Sequence, residues 1–457
     1  MSHRTSVKPD GPSTVAVPLL LVFVLWAARA LYFQEPWFAL DDAYIYGHNA
    51  EVLLKGSDPN YGVSPLYGTT SAPFLLLLAG ISMLLPMGWA LEVANLVGAL
   101  LYIGATWRLA RGLSPAWRMV AVAVALLSAM TIHQLTNGLE TGLAMATVMW
   151  AIVGMVERSR WLGLLTGLLP FIRPDLAPLA GMIWLTSADK IRHAALAALT
   201  ATPFALWFLI ETGFPVSLTG YAKQLFFNEA SWPLARRLKV SGAGLGFFFI
   251  HMGATAIGLV LLPRRLALCL VGGILPYLVI GMLRFPSSFV MYQMRYFYPF
   301  LPFAVAGLTL SGRKKLLAAA ALFGLVFLPL WWSPAHLYFR NIMVDHLSHL
   351  PDWPRDNLPP GSKVLIHDAG LIAVKTELRL TDVVGLKSPS SVAALRRHPG
   401  DRAAALSEIA RGHDYLVELP NWNLAEELRS QGWRAQQINP VEADIEVYRI
   451  TPPSVGR

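Results

Sequence analysis

The chain has 457 residues, of which 55% are hydrophobic and 14% charged, and its formal net charge is +9. Soluble proteins carry about a quarter of charged residues, so this composition excludes an ordinary soluble enzyme. The basic residues cluster in short connectors between apolar runs, which is typical of a membrane protein and not of a nucleic-acid-binding protein.

Long apolar runs recur between residues 16 and 333. An uncleaved first span is predicted at 16–33, and residues 34–72 then form the first outer loop. The run at 73–86 is bounded by prolines and is shorter than the about 20 residues needed to cross a bilayer. It therefore predicts a partial or interfacial helix. The single cysteine, Cys269, lies inside an apolar run, so disulfides play no part.

The later spans are predicted from the lengths of the apolar runs, with the basic connectors placed in the cytoplasm. They are 90–108, 119–136, 142–156, 161–187, 194–211, 241–262, 265–283, 294–310 and 314–333. Prolines and the RPD at 173–175 break 161–187 into two short helices. Residues 212–240 form a second outer loop. Residues 1–335 are thus predicted to be an all-α polytopic membrane domain of about 11 transmembrane helices.

From residue 336 to residue 457 the charge density is that of a soluble protein. Alternating apolar residues predict strands at 363–367, 381–384, 414–419 and 445–450. Helices are predicted at 392–411 and 423–431. The chain therefore ends in a soluble α/β domain, which the topology puts on the outer side.

The first outer loop opens with two adjacent carboxylates, Asp41 and Asp42. A charge close to the bilayer needs a reason, because an ionised carboxylate costs on the order of 2.5–3.5 kcal/mol at mid-bilayer. One interpretation is that the pair caps the following helix; the other is a functional role. Residues 44–55 predict an amphipathic helix in the membrane interface, ended by Gly56. Its polar face is predicted to carry Tyr44, His48, Glu51 and Lys55.

Under this topology the carboxylates of the first loop face cations from other outer loops. This arrangement suits a reaction in which a phosphate leaves and a hydroxyl attacks. The phosphate-binding candidates are Arg173, Lys223 and Arg295, and an aspartate takes the proton of the attacking hydroxyl. Polar side chains at the same face are the substrate-binding candidates: His48, Tyr67, His133, Glu140, Tyr221 and Tyr296.

Each candidate also has an ordinary structural interpretation. Arg173 can pair with Asp175 alone, and Arg295 can snorkel to the membrane interface. Lys223 can be a solvated loop lysine, and Glu140 can cap the helix it opens. No HxxxH or CxxC spacing occurs, so the carboxylates of the first loop are the remaining candidates for holding a metal.

A series of stretches in fixed order resembles a known family. They are LDDAYIYGHNAEVLLKG at 40–56, SPLYGTTSAPFLLLLA at 64–79, GLET at 138–141, RPD at 173–175, YAK at 221–223, RYFYPFLP at 295–302 and DAG…TDVVGL at 368–386. These are similar to the GT-C superfamily of membrane glycosyltransferases. Within it they are most similar to the polyprenyl-phospho-arabinofuranose-dependent arabinofuranosyltransferases of the actinobacterial cell wall and their bacterial relatives.

The resemblance implies a multi-pass enzyme of the bacterial inner (plasma) membrane, with its active site and C-terminal domain periplasmic or extracellular. It implies a polyprenyl-phosphate sugar donor, a glycan or lipid acceptor of the cell envelope, and an inverting displacement. Asp41 would be the general base, and Asp42 would orient the acceptor or support Asp41. No cofactor is required; a divalent cation (Mg²⁺, Mn²⁺ or Ca²⁺) held by Asp41 and Asp42 is an option. The segment before YAK lacks the family's usual PNT, so the sugar stays open between arabinofuranose and another pentose or hexose.

Two other classes of function stay open. A transporter or flippase of a lipid-linked sugar would use the same outer charges, but it needs a polar path, and the spans at 90–108, 241–262 and 314–333 carry few charges. A scaffold subunit of an envelope complex would use the acidic pair only as helix caps.

Overall fold

The computed structural model describes residues 38, 40–128, 130–342, 349–420, 422–440 and 445–453, and for residues 331–342 it gives the backbone alone. The predicted first span at 16–33 lies outside these residues. The described chain is mainly helical and ends in a small five-stranded mixed sheet.

The helices before the sheet are numbered in chain order. They are α1 (Asp41–Lys55), α2 (Ala72–Ser82), α3 (Met87–Leu109), α4 (Pro115–Leu127), α5 (Thr131–Leu135), α6 (Thr141–Glu157), α7 (Leu162–Ile172), α8 (Ala177–Leu185), α9 (Lys190–Thr212), α10 (Thr219–Phe227), α11 (Leu234–Met252), α12 (Ile257–Val260), α13 (Arg264–Arg284), α14 (Leu301–Ser311) and α15 (Lys314–Ile342). The predicted outer loop at 212–240 thus contains α10 and the start of α11. The predicted domain boundary at 335 falls within α15.

Among the described residues, four helical segments are long and apolar enough to cross a membrane: Met87–Gly112, Lys190–Thr212, Leu234–Val260 and Arg264–Arg284. Large aliphatic side chains on α13, such as Val271 and Ile280, are more than half exposed, as expected of a surface in contact with lipid tails. The predicted total of about 11 spans is not confirmed, because several predicted spans form helices too short to cross. The short helix predicted at 73–86 is α2.

The predicted break in 161–187 is confirmed. Helix α7 ends at Ile172 because Arg173 adopts an extended conformation before Pro174, and a 3-10 turn at Pro174–Leu176 leads into α8. Helix α7 also packs very closely on α9, since a Cβ at Gly167 would lie 2.2 Å from the carbonyl oxygen of Ala197. Small residues spaced four apart allow such contact between membrane helices.

Helix α1 differs from the predicted interfacial helix. Its residues from Ala43 to Ala50 are buried on every side, including His48 on the face predicted to be polar. Leu40 holds the N-cap position and neither aspartate caps the helix; both lie in its first turn. The predicted end at Gly56 is confirmed, with φ 75°. The helix is a buried element between α2 and the C-terminal domain.

The C-terminal domain contains the strands β1 (Lys363–Ile366), β2 (Arg379–Asp382), β3 (Tyr415–Glu418), β4 (Arg434–Gln437) and β5 (Glu446–Thr451). Its helices are α16 (Asp352–Asn357), α17 (Leu371–Lys375), α18 (Pro389–Arg397), α19 (Arg402–Ile409) and α20 (Leu424–Ser430). The sheet order is β2-β1-β3-β5-β4, with β1 parallel to β2 and β3, and β5 antiparallel to β3 and β4.

The strands predicted at 363–367, 414–419 and 445–450 and the helix at 423–431 are confirmed. The strand predicted at 381–384 begins earlier, at Arg379. The helix predicted at 392–411 is two helices, because Gly400 adopts φ 83° between them. Strand β4 was not predicted, since its sequence RAQQ buries only Ala435 and has no apolar alternation.

The segment after α1, which was predicted to belong to the first outer loop, lies against this domain. The side-chain amide of Asn60 donates to the carbonyl oxygens of Thr376 and Leu378 at 2.9 and 3.0 Å. The backbone N–H of Leu380 in β2 donates to the carbonyl of Asn60 at 2.9 Å. The hydroxyl of Tyr61 donates to the carbonyl of Ala369 at 2.7 Å. The loop after α1 is therefore fixed by the edge of the sheet.

Candidate functional site

A cavity of about 370 Å³ opens beside the first turn of α1. Its walls come from α1, the 3-10 turn after α7, α10, α13, the segment around Arg295 and Leu386 of the C-terminal domain. Six of the predicted site residues line it: Asp42, Arg173, Lys223, Arg295, Tyr221 and Tyr296. Residues more than 250 positions apart in the chain thus share one space.

Asp42 contacts two of the cations in this cavity. Its Oδ2 lies 3.1 Å from Lys223 Nζ and 3.6 Å from an Nη of Arg295. Burial raises the pKa of Asp42, but the positive charges of Lys223 and Arg295 outweigh it and hold the pKa below its usual value. Asp42 is therefore ionised at neutral pH and electrostatically tied to two cations.

Glu140, which is not among the lining residues, contacts both Arg173 and Arg295. Its Oε1 lies 2.5 Å from an Nη of Arg295 and 3.5 Å from an Nη of Arg173, and the Glu140 side chain is fully buried. Arg173 also makes a two-point pair with Asp175, at 3.1 and 2.9 Å. Arg173 and Asp175 thus pair as expected, but not alone, because Glu140 also contacts Arg173 and the guanidinium lines the cavity.

The other ordinary interpretations are wrong for three of the candidates. Lys223 and Arg295 are 8% and 4% exposed, so neither is a solvated or snorkelling side chain. Glu140 occupies the N-cap position of α6, yet its side chain makes no capping hydrogen bond. Its carboxylate instead contacts the guanidinium groups of Arg173 and Arg295.

An unusual left-handed turn aims Arg295 and Tyr292 into the site. Tyr292, Gln293 and Met294 all have positive φ, at 49°, 55° and 61°. Such a conformation costs L-residues roughly 1–2 kcal/mol each. The side-chain amide of Gln134 holds it, donating to the carbonyl oxygens of Tyr292 at 3.0 Å and Gln293 at 3.4 Å.

Tyr292 and Tyr296 surround the cations with aromatic rings. The Tyr292 hydroxyl lies 3.5 Å from Lys223 Nζ, and the guanidinium of Arg173 lies 4.8 Å from the centre of the Tyr296 ring. Such contacts strengthen when they are shielded from water. Tyr292 was not predicted as a site residue, because the turn that directs it leaves no recognisable sequence pattern.

Asp41 points away from the cavity and toward the C-terminal domain. Its two carboxylate oxygens accept hydrogen bonds from the backbone N–H groups of Gly370 and Leu371, both at 2.8 Å. A Cβ at position 370 would lie 2.3 Å from the carbonyl oxygen of Asp41, so this contact requires glycine. Asp41 therefore joins α1 to the start of α17.

Three other predicted site residues also lie outside the cavity lining. The Nε2 of His48 lies 3.2 Å from Asn60 Oδ1 and 3.6 Å from Asp58 Oδ1, within the junction with the C-terminal domain. Tyr67 accepts a hydrogen bond from Asn49 through its backbone carbonyl. His133 lies on the short helix α5.

The metal hypothesis does not fit these two aspartates. Both oxygens of Asp41 accept backbone N–H groups, and Asp42 faces two cations. Within the part of the chain that the structure describes, no group of three or more His, Cys, Asp or Glu side chains could hold a metal ion. We therefore derive no chemical step through a metal.

A third carboxylate, Asp368, lies near this pair. Burial raises its pKa to about 7, and the charge of Asp42 adds to the effect. Burial also raises the pKa of Asp41, and the negative charge of Asp368 raises it further. Asp368 was not predicted, since its sequence position 326 residues after Asp42 gives no indication of contact.

This crowding predicts a pH-dependent stability. A carboxyl whose pKa is raised in the folded protein lowers stability as pH rises from its unfolded pKa of about 4 to about 7. Asp368→Asn removes this loss, so its advantage in unfolding free energy over wild type should grow by roughly 2–3 kcal/mol between about pH 5 and pH 8. Denaturant titrations of the detergent-solubilised protein at both pH values measure it, and a constant difference would contradict the assignment.

A comparison with protein families found a match in the C-terminal part of the chain. Residues 340–448 match a family described as a domain of unknown function (DUF8728). The comparison with curated proteins gave no match.

Proposed function

We propose that this protein is a membrane glycosyltransferase. It would transfer a sugar, arabinofuranose or another pentose or hexose, from a polyprenyl-phosphate donor to a glycan or lipid acceptor of the cell envelope. The supporting observation is one cavity in which Arg173, Lys223 and Arg295 meet Asp42. Three cations around a space of this size suit a phosphate, and the aspartate suits a hydroxyl.

The apolar wall of the cavity supports a lipid-linked donor. Pro276, Ile280 and Phe285 line it, and Ile280 is also 56% exposed on the outer surface of α13. Because α13 is long and apolar enough to cross a membrane, a lipid chain in the bilayer could run along this surface while its phosphate reaches the cations. A nucleotide sugar carries no lipid chain and would not need an apolar wall.

In this mechanism the acceptor oxygen attacks the anomeric carbon, and the bond from that carbon to the phosphate oxygen breaks. The acceptor proton goes to Asp42, and the charge of the departing polyprenyl phosphate is neutralised by Arg173 and Arg295. Before substrate binds, Lys223 and Arg295 hold the pKa of Asp42 low. A bound phosphate would share these two cations and so make Asp42 a better base.

The contacts of the two aspartates favour Asp42 over Asp41 as the general base. Asp41 would instead keep the C-terminal domain seated on α1. Asp42→Asn should lower sugar transfer by roughly 100- to 10,000-fold, the range typical of a lost general base, while donor binding persists. Asp41→Asn should keep most of the transfer rate and lower thermal stability.

The assay uses the purified full-length protein with a polyprenyl-phosphate sugar and an acceptor extract. The donor and acceptor are first identified by mass spectrometry of the lipids and glycans that accumulate when the protein is removed. Asp42→Asn with unchanged transfer would contradict the mechanism. The flippase would be favoured instead if the wild-type protein moved the accumulated lipid-linked sugar across a vesicle membrane without transferring the sugar to an acceptor.

A further inference from the structure

A second pocket, of about 790 Å³, lies at the far end of the helical bundle. It is formed by the connector after α6, the connector between α8 and α9, and the start of α13. Helix α9 begins at this pocket and ends next to Ser217 of the first cavity. Its 23 residues span roughly 34 Å, about the thickness of the hydrocarbon core of a bilayer.

The pocket is strongly basic. Four arginines line it, with one histidine: Arg158, Arg160, Arg192, Arg265 and His193. None of the four guanidinium groups forms an ion pair with a carboxylate among the described residues. Among the described lining residues one is acidic, Asp189, and it caps α9 by accepting the N–H of Arg192.

Arg265, which lines the pocket, has a donor group that the described residues do not satisfy. Its Nη1 donates weakly to the carbonyl oxygen of Met155 at 3.5 Å. Its Nε is buried and has no hydrogen-bond partner among the described residues. A buried donor without a partner is costly, and an anion in the pocket would satisfy it.

Exposed apolar side chains next to the lining residues indicate that this anion is part of a lipid. Trp161, Leu185 and Ile191 each adjoin a lining residue and are 62%, 52% and 86% exposed. Tryptophan concentrates at membrane–water interfaces, and a long lipid tail needs such a surface. A free phosphate would gain nothing from it.

We propose that this pocket binds the phosphate headgroup of an anionic phospholipid, on the membrane face opposite the first cavity. The arginines contact the phosphate oxygens, as guanidinium groups do in other phosphate sites. The acyl chains lie along the rim. This inference does not depend on the proposed enzymatic function.

Arg158 offers a variant that spares the fold. It ends α6 in the left-handed conformation, with φ 53° and ψ 45°, where glycine is the preferred residue. Arg158→Gly should therefore fold at least as well as wild type. Combined with Arg192→Gln, it should lower the retention of phosphatidylglycerol about tenfold or more.

The test is native mass spectrometry of the full chain released from bilayers of phosphatidylcholine with about a fifth of phosphatidylglycerol. Arg313→Gln combined with Lys315→Gln is the matched control, because it also removes two charges, at the start of α15, and neither residue lines the pocket. Wild type and the control should keep bound phosphatidylglycerol, and the double variant should lose it. Equal retention by all three proteins would overturn the proposal.

A second arm separates lipid from free phosphate. Inorganic phosphate is added to the detergent-solubilised wild type, and the thermal unfolding midpoint is followed. Phosphatidylglycerol should raise the midpoint and inorganic phosphate should not. Stabilisation by inorganic phosphate equal to that by the lipid would show a small-anion site and would overturn the lipid assignment.

Discussion

Glu140→Gln should lower the free energy of unfolding by about 3–5 kcal/mol, because it breaks a buried ion pair on one side only. The Glu140 side chain is fully buried, and both arginines that it contacts are nearly so. With glutamine in its place, Arg295 keeps a single carboxylate neighbour, Asp42, at 3.6 Å. Chemical denaturation of the detergent-solubilised protein measures the loss.

Glu157→Gln is the matched control. Glu157 also pairs with two arginines, Arg108 and Arg111, but these are about half exposed. Exposed pairs contribute about 0–1 kcal/mol, so this variant should unfold almost as wild type does. Equal losses in the two variants would show that the Glu140 contacts do not carry the expected energy.

The pH dependence of the Glu140 effect has a defined sign. Burial raises the pKa of Glu140, but the charges of Arg295 and Arg173 outweigh it and lower the pKa below its usual value. A carboxyl with a lowered pKa stabilises the folded state above its unfolded pKa and loses that effect in acid. The difference between wild type and Glu140→Gln should therefore shrink as the pH falls below about 4.

The gathering of cations could be foreseen from the sequence, because the predicted topology places Arg173, Lys223 and Arg295 at the same outer face. The choice between Asp41 and Asp42 could not. Adjacent residues on a helix point about 100° apart, so one of the pair faces the cavity and the other faces away. Which one does so depends on the backbone N–H groups of Gly370 and Leu371, more than 300 residues later.

The sequence pattern also does not predict that α1 is buried. Periodicity predicts one polar and one apolar face, and it identifies the helix and its end at Gly56. It cannot show that a C-terminal domain covers the polar face, where His48 becomes 4% exposed. The length of an apolar run likewise overestimates the number of membrane-spanning helices. The run at 294–310, for example, contains a 3-10 segment at Arg295–Phe300 and a short helix.

Lys387→Met should be the most damaging change at the junction between α1 and the C-terminal domain. The side chains of Lys387 and Asp58 are both fully buried, 3.0 Å apart, and Lys387 Nζ also donates to Asn49 Oδ1 at 2.5 Å. Methionine has a similar length but no charge, so Asp58 is left buried and uncompensated. We expect a loss of about 3–5 kcal/mol in unfolding free energy. Lys55→Met, which breaks an exposed pair with Glu51, should cost about 0.3–0.5 kcal/mol.

A second substitution shows whether the charge of Asp58 causes this loss. Asp58 Oδ1 accepts the backbone N–H groups of Asn60 and Tyr61 at 3.0 and 2.8 Å, and an asparagine oxygen can accept the same two bonds. Asp58→Asn combined with Lys387→Met therefore removes the buried charge while it keeps the turn. The double variant should recover most of the stability lost in Lys387→Met, since contacting charges are not additive. If the double variant unfolds as readily as the sum of the two single losses predicts, packing and not charge holds the C-terminal domain on α1.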